Sequence, residues 1–288
     1  MKTTIKLAAI SALALAVSSS AVLAADAHVA GTADSPLPAG ATTGLALGAP
    51  LPEGIYDISI ASYGSQKSGS AYGNSAYAVP VWLIWSTPYQ IAGGRIMLDS
   101  LTPVADVWNN TKGTSVDSWM NTLVDAGIAW NLQNGFNVGL HAGVWLPSTQ
   151  AIPSAYGRGD AAFQGIAAVS YVANGWNLTA TSIYNEANPD KTGSYVQHAY
   201  WNLDLTATKK LGKLELGAIG YGSWEQAGQK KEQFALGGLV GYDFGSFIAQ
   251  AKLASDVSTN ATYGDKEVRG TLTIIKPLWS PASEGPLK

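Results

Sequence analysis

The chain has 288 residues, of which 47% are hydrophobic and only 13% charged, with a formal net charge of −3. Such a chain is too apolar to be disordered, yet it carries about half the charge of an ordinary soluble domain. The absence of Cys excludes a disulfide framework and a thiolate metal site, and the acidic balance excludes a nucleic-acid partner that would need its phosphates neutralised.

In chain order, residues 1–25 read as a secretory signal peptide. Lys2 and Lys6 precede an apolar run from Leu7 to Val17, and small residues lead to a cleavage point near Ala24 or Ala25. The run is too short to span a membrane comfortably, and no basic cluster follows it. Cleavage removes Lys2 and Lys6 and leaves 15 basic against 20 acidic residues. Residues 26–53 form an Ala/Gly/Pro-rich leader without either periodicity, expected as a flexible periplasmic segment, with a plug folded back into the interior as the alternative.

From residue 54 to residue 279 the apolar residues recur at every second position. Strands are predicted at 54–64, 78–87, 94–108, 118–132, 136–147, 160–173, 176–186, 194–209, 213–225, 233–243, 246–256 and 265–279. That gives about twelve strands, each near or above the roughly 9–11 residues a tilted strand needs to cross a bilayer. Residues 280–288 form a tail. Connections alternate in kind: tight turns "QNG", "NG", "KKLGK" and "DFGS" carry glycines suited to hairpins, whereas "NNTKGTSVD", "PSTQAIPSAYGRGD" and "DVSTNATYGDK" are long and polar. This asymmetry predicts an all-β, antiparallel, up-and-down transmembrane β-barrel of outer-membrane type, with tight turns in the periplasm and long loops outside.

The faces agree with a lipid exterior. Val124, Ala126, Ile128, Trp130 and Leu132 oppose Asn121, Asp125 and Asn131, while Ala199, Trp201, Leu203, Leu205 and Ala207 alternate with His198, Tyr200, Asn202, Asp204 and Thr206. A soluble core would leave polar faces rich in Lys and Glu; these carry Asn, Thr, Ser, Gly and isolated charges, which suit a confined, hydrated lumen. Tyr56, Trp82, Trp85, Trp108, Trp119, Trp130, Trp176, Tyr184, Tyr242 and Trp279 are expected in the interfacial girdles. The ionisable residues expected to line the lumen are Asp57, Arg95, Asp99, Asp125, His141, His198, Asp204, Glu215, Lys252 and Arg269. Their charges either pair across the barrel and close it or line a path.

The phrases "NTLVDAGIAWNLQNGFNVGLHAGVWLPSTQ", "FQGIAAVSYVANGWNLTATSIYNEANP", "LDLTATKKLGKLELGAIGYGSWEQ" and "ALGGLVGYDFG" resemble the outer-membrane proteins of the phenol-degradation meta-pathway family. The likeness covers most of the mature chain and consists of structural phrases, none of them a catalytic motif. It implies a β-barrel that passes hydrophobic or aromatic compounds across the outer membrane of a Gram-negative bacterium. Such barrels commonly close on a terminal aromatic; here Pro277 interrupts "IIKPLW" and a tail follows Trp279, so either Trp279 is that signal or the strand stops near Ile275.

Chemistry is sparse. His28 lies in the leader, His141 and His198 lie on separate strands, and no His/carboxylate spacing of the metal type appears along the sequence, so no metal site is expected. No cofactor and no catalytic residue is expected. The Arg158-Gly159-Asp160 triplet in a Gly-rich loop is a chance match. The sequence therefore predicts a passive channel for small hydrophobic or aromatic solutes, whose partners are outer-membrane lipid, those solutes and the barrel-insertion machinery. Its rivals are a sealed structural or surface-interaction barrel, an outer-membrane lipid hydrolase using His141 or His198, and a soluble periplasmic carrier.

Overall fold

The computed structural model describes residues 37–66, 74–109, 114–147, 161–186, 199–226, 230–260 and 266–281. Its strands are Gly54–Gln66 (β1), Asn74–Ile91 (β2), Gly94–Leu101 (β3), Val104–Asn109 (β4), Thr114–Trp119 (β5), Leu123–Asn131 (β6) and Phe136–Trp145 (β7). They continue as Ala162–Ala173 (β8), Trp176–Asn185 (β9), Tyr200–Leu211 (β10), Leu214–Glu225 (β11), Glu232–Asp243 (β12), Ile248–Thr259 (β13) and Glu267–Trp279 (β14).

These segments form one 14-stranded sheet that closes on itself, because β1 pairs with β14 on one side and with β2 on the other. The long strand β2 pairs with β3 through its second half and with β4 through its first. Accordingly β3 and β4 are two parts of one stave interrupted at Thr102 and Pro103, where proline supplies no ladder donor. Likewise β5 and β6 are one stave interrupted at Met120–Thr122, with the Met120 amide donating to the Pro103 carbonyl at 2.8 Å. The wall is thus a closed antiparallel barrel of twelve staves, as the alternation predicts.

Tight turns join the strands at one end. Ala92 and Gly93, and again Asn174 and Gly175, all have positive φ, the geometry whose twist matches a two-residue hairpin. Gly212 and Gly245 supply the left-handed position in two further turns. The strand ends that lead into the long connections are at the other end; those connections lie mostly outside the described residues, and so do residues 1–25 expected as a signal peptide, His28, His198 and the Arg158-Gly159-Asp160 triplet.

Leu140, Val144, Val169, Leu178, Leu236, Val240, Leu253 and Leu272 project outward with two-fifths or more of their surface exposed. In water this belt would be an aggregation surface; against acyl chains it is the matching solvent. Aromatic rows flank it. Trp130, Phe136, Tyr171, Trp176, Tyr242 and Trp279 lie toward the tight turns, whereas Tyr63, Trp119, Phe163, Tyr184, Trp201 and Trp224 lie toward the long loops. Trp201 stacks on Trp224 with centroids 5.0 Å apart, and the Lys209 ammonium lies 4.7 Å from the Trp176 ring centroid.

Two expected girdle residues turn inward instead. Tyr56 and Trp82 are 2% and 3% exposed and belong to an interior apolar cluster. A register shift between Ile58 and Ile60 accommodates Pro80 and Val81 on β2 and puts Trp82 on the inner face. The Trp108 side chain lies outside the described residues. The closing strand does not stop near Ile275: it runs through Pro277 to Trp279, and the register shift between Ile55 and Tyr56 absorbs the proline.

The leader departs most from expectation. Residues 37–53 do not trail into the periplasm as a flexible segment; they fold back into the barrel. Leu37, Ala39, Ala41, Thr42 and Thr43 are each no more than 1% exposed. The physical cause is visible in composition: small Ala, Gly and Thr side chains let this backbone approach the wall closely, and Leu37 and Leu45 have apolar wall to meet.

Candidate functional site

The candidate site is the lumen and the segment seated in it. Its two sides differ in chemistry. On one side Leu37, Ala41 and Leu45 pack with Tyr56, Ile58, Ile60, Tyr77, Val79, Trp82, Ile84, Leu101, Leu123, Trp145, Ile166 and Ile183. On the other, side chains of β8, β9, β10 and β13 bind the segment's backbone directly.

Asp204 on β10 anchors this polar side. Its Oδ1 accepts the Gly40 amide at 2.7 Å, and its Oδ2 accepts the Thr42 amide at 2.9 Å and the Thr42 hydroxyl at 2.7 Å. A carboxylate so buried is tolerable because three donors converge on it. The Thr206 hydroxyl accepts the Gly44 amide at 2.8 Å, and Ser170 Oγ accepts the Gly48 amide at 3.0 Å. Carbonyls are met as well: Asn202 donates to Leu37, Asn177 and Gln250 donate to Gly44, and Lys252 Nζ donates to Thr43 at 2.6 Å. Irregular backbone in a membrane protein must find such partners internally. Gly40 and Gly44 have φ of +84° and +86°, and a Cβ at Gly44 would lie 2.8 Å from Leu239 Cδ1. Only glycine therefore fits this turn against the wall.

A second polar group lies toward the loop end. Arg269 binds Glu267 through Nε at 2.7 Å and Nη2 at 2.8 Å, and its Nη1 donates to Ser62 Oγ at 3.1 Å. Glu267 donates its amide to Asp256 Oδ2 at 2.8 Å, Asp256 Oδ1 accepts Gln233 Nε2 at 2.8 Å, and Tyr77 lies with its ring 5.5 Å from the guanidinium. The ion pair lies within β14, and hydrogen bonds through Ser62 and Asp256 tie it to β1 and β13.

A third group joins β2, β3, β6 and β7. His141 Nδ1 donates to Asp125 Oδ1 at 3.0 Å and lies 3.8 Å from Asp99 Oδ2, while Trp82 Nε1 donates to Asp99 Oδ1 at 2.8 Å.

Against the expected lumen residues, Asp99, Asp125, His141, Asp204, Glu215, Lys252 and Arg269 occupy inward positions of their strands. Glu215 accepts Thr208 at 2.6 Å and Gln250 at 3.1 Å near the tight turns. Arg95 shares the face of Met97 and Asp99 and donates to the Thr87 carbonyl at 2.9 Å, at the turn end. Asp57 is a correction. It sits on the outer face beside Ser59, which donates to it at 3.1 Å, and opposite Lys276 on β14. On β1 the inner face is the more apolar one, because Tyr56, Ile58 and Ile60 meet the seated leader. His198 lies outside the described residues. Sequence reasoning missed Trp82 and Gln233, uncharged residues whose partners lie on other strands, and Glu267, a strand-end residue paired with Arg269 on its own strand, as well as the leader's glycines.

A comparison with curated proteins finds no match. Among solved structures, an outer membrane channel from Pseudomonas putida F1 superposes with a TM-score of 0.63 at 16% identity, over 80% of this chain and 97% of that one. The NanC porin gives a TM-score of 0.49 at 11% identity, over 77% of this chain and 100% of that one. The CymD monoaromatic hydrocarbon channel gives 0.49 at 10%, over 80% and 90%. The first of these likenesses is one of fold, an outer-membrane-type barrel. Residues 59–266, which build nearly the whole barrel wall, match the family model described as "Putative MetA-pathway of phenol degradation", and the chain belongs to that family.

Proposed function

We propose that the protein is a passive outer-membrane conduit for small hydrophobic or aromatic molecules, without enzymatic activity, and that the leader seated in its lumen sets how open the path is. The observation that carries this reading is membership of the phenol-degradation family on a closed barrel with a lipid-matching exterior. The likeness in fold to the Pseudomonas putida outer membrane channel is consistent with it. Where the leader withdraws, the lumen supplies the selectivity: the apolar inner wall around Trp82, Leu101 and Trp145 that the leader covers favours an uncharged solute, and the carboxylates of the facing side disfavour an anion. Export through a cleaved signal peptide and insertion guided by Trp279 complete the proposal.

The test is uptake of a neutral aromatic solute, phenol or toluene, by liposomes holding the full-length protein, alongside Asp204→Asn. The substitution replaces a triple acceptor with a side chain that directs donors at donors, and uptake rises if the seated segment limits the path. Equal permeability of protein-free liposomes, wild type and variant refutes the conduit. That outcome favours the second reading, a sealed barrel, for which the filled lumen speaks.

A further inference from the structure

The group on β2, β3, β6 and β7 holds a feature that solute passage does not use. Asp99, Asp125 and His141 come from three adjacent staves, and one ligating atom from each lies within 4.8 Å of the others. We propose that these three side chains form a binding site for one divalent transition-metal ion of the zinc type, which cross-links the wall from inside the lumen.

Four observations support this. First, the donor set is right: one imidazole nitrogen and two carboxylate oxygens suit zinc, with water completing the coordination. Second, the spacing is right. A tetrahedral ion with bonds near 2.1 Å holds its ligands about 3.4 Å apart, and the Nδ1 separations of 3.0 and 3.8 Å bracket that edge. Third, the side chains are built into place. Gly127 faces His141 across the β6–β7 pair, where a Cβ would collide with the imidazole, and Gly143 faces Asp125, where a Cβ would lie 2.7 Å from Oδ2. Trp82 holds one oxygen of Asp99, leaving the other directed at His141, as an outer partner orients a ligating carboxylate.

Fourth, hydrogen bonding within the protein leaves the group incomplete. The Asp125 side chain is 1% exposed, yet among the described residues its Oδ2 has no hydrogen-bond partner. Among the described residues the ion pairs of both carboxylates are with His141 alone. Two buried carboxylates sharing one imidazole leave negative charge for a cation to offset. On metal binding the hydrogen on Nδ1 must leave that nitrogen, moving to Nε2 when the ring is neutral or passing to solvent when it is charged.

The experiment uses the full-length protein folded in detergent, stripped with EDTA and dialysed against Zn²⁺. Wild type is expected to retain one zinc per chain. His141→Gln and Asp125→Asn should each weaken retention at least about tenfold, whereas Asp256→Asn, in the loop-end group, retains it. Heat-dependent gel migration shows which variants fold. Co²⁺ provides a readout on wild type alone, through the visible absorption of a four-coordinate nitrogen and oxygen site. Folded wild type that retains no zinc, shows no Co²⁺ band, or loses nothing in the folded His141→Gln variant overturns the proposal. Solute uptake is a separate readout, so the site and the conduit can fail independently.

Discussion

The two inner sides of the barrel hold the same segment by different physics. The apolar side takes the side chains of Leu37, Ala41 and Leu45 and contributes through area removed from water. The polar side takes mainly backbone groups, matching Asp204, Thr206, Ser170, Asn177, Gln250 and Lys252 to amides and carbonyls, with the Thr42 and Thr43 hydroxyls as added partners. Apolar packing tolerates slippage, whereas hydrogen bonds fix register. The difference explains why a stretch with no periodicity is still held in one conformation.

Substitutions on each side would sharpen or break this contrast. Asp204→Ala should have the largest effect, costing about 4 kcal/mol of leader docking, because three donors lose their buried charged acceptor. Limited proteolysis of the folded barrel should then cut within residues 37–53, which wild type protects. On the apolar side, Leu101→Ala should cost about 3 kcal/mol through a cavity beside Leu123, lowering the temperature of the gel-migration change without exposing the leader. Cleavage equal to that of Asp204→Ala would dissolve the distinction. Gly44→Ala should cost about 2 kcal/mol, since it places a side chain at positive φ against Leu239 and Gln250; proteolysis should show partial release. Smallest is Lys252→Met, about 1 kcal/mol, since losing the hydrogen bonds to the Thr43 carbonyl and hydroxyl is partly offset by no longer burying an ammonium. Denaturant unfolding of the lipid-inserted barrel measures it.

The outer surface was largely legible because its solvent is uniform. Leu140, Val144, Leu253 and Leu272 all meet lipid, so period-two alternation translates directly into facing. On β1 the same rule misplaced Asp57, because both faces meet apolar surroundings, lipid on one side and the seated leader on the other. Tyr56 and Trp82 show the same ambiguity: a large aromatic near a strand end suits an interface or an occupied lumen equally.

Alternation and turn glycines therefore determined, from the sequence by itself, the barrel, its approximate staves, its lipid-facing residues and the end carrying tight turns. These are properties of neighbours along the chain. Only the tertiary structure decided the seated leader, whose hydrogen bonds to β8, β9, β10 and β13 join residues 122 to 209 positions apart. Only it brought Asp99, Asp125 and His141 together, because antiparallel register sets three separate staves side by side. Cross-strand pairing depends on closing the ring, and no local pattern encodes which distant carboxylate meets which imidazole.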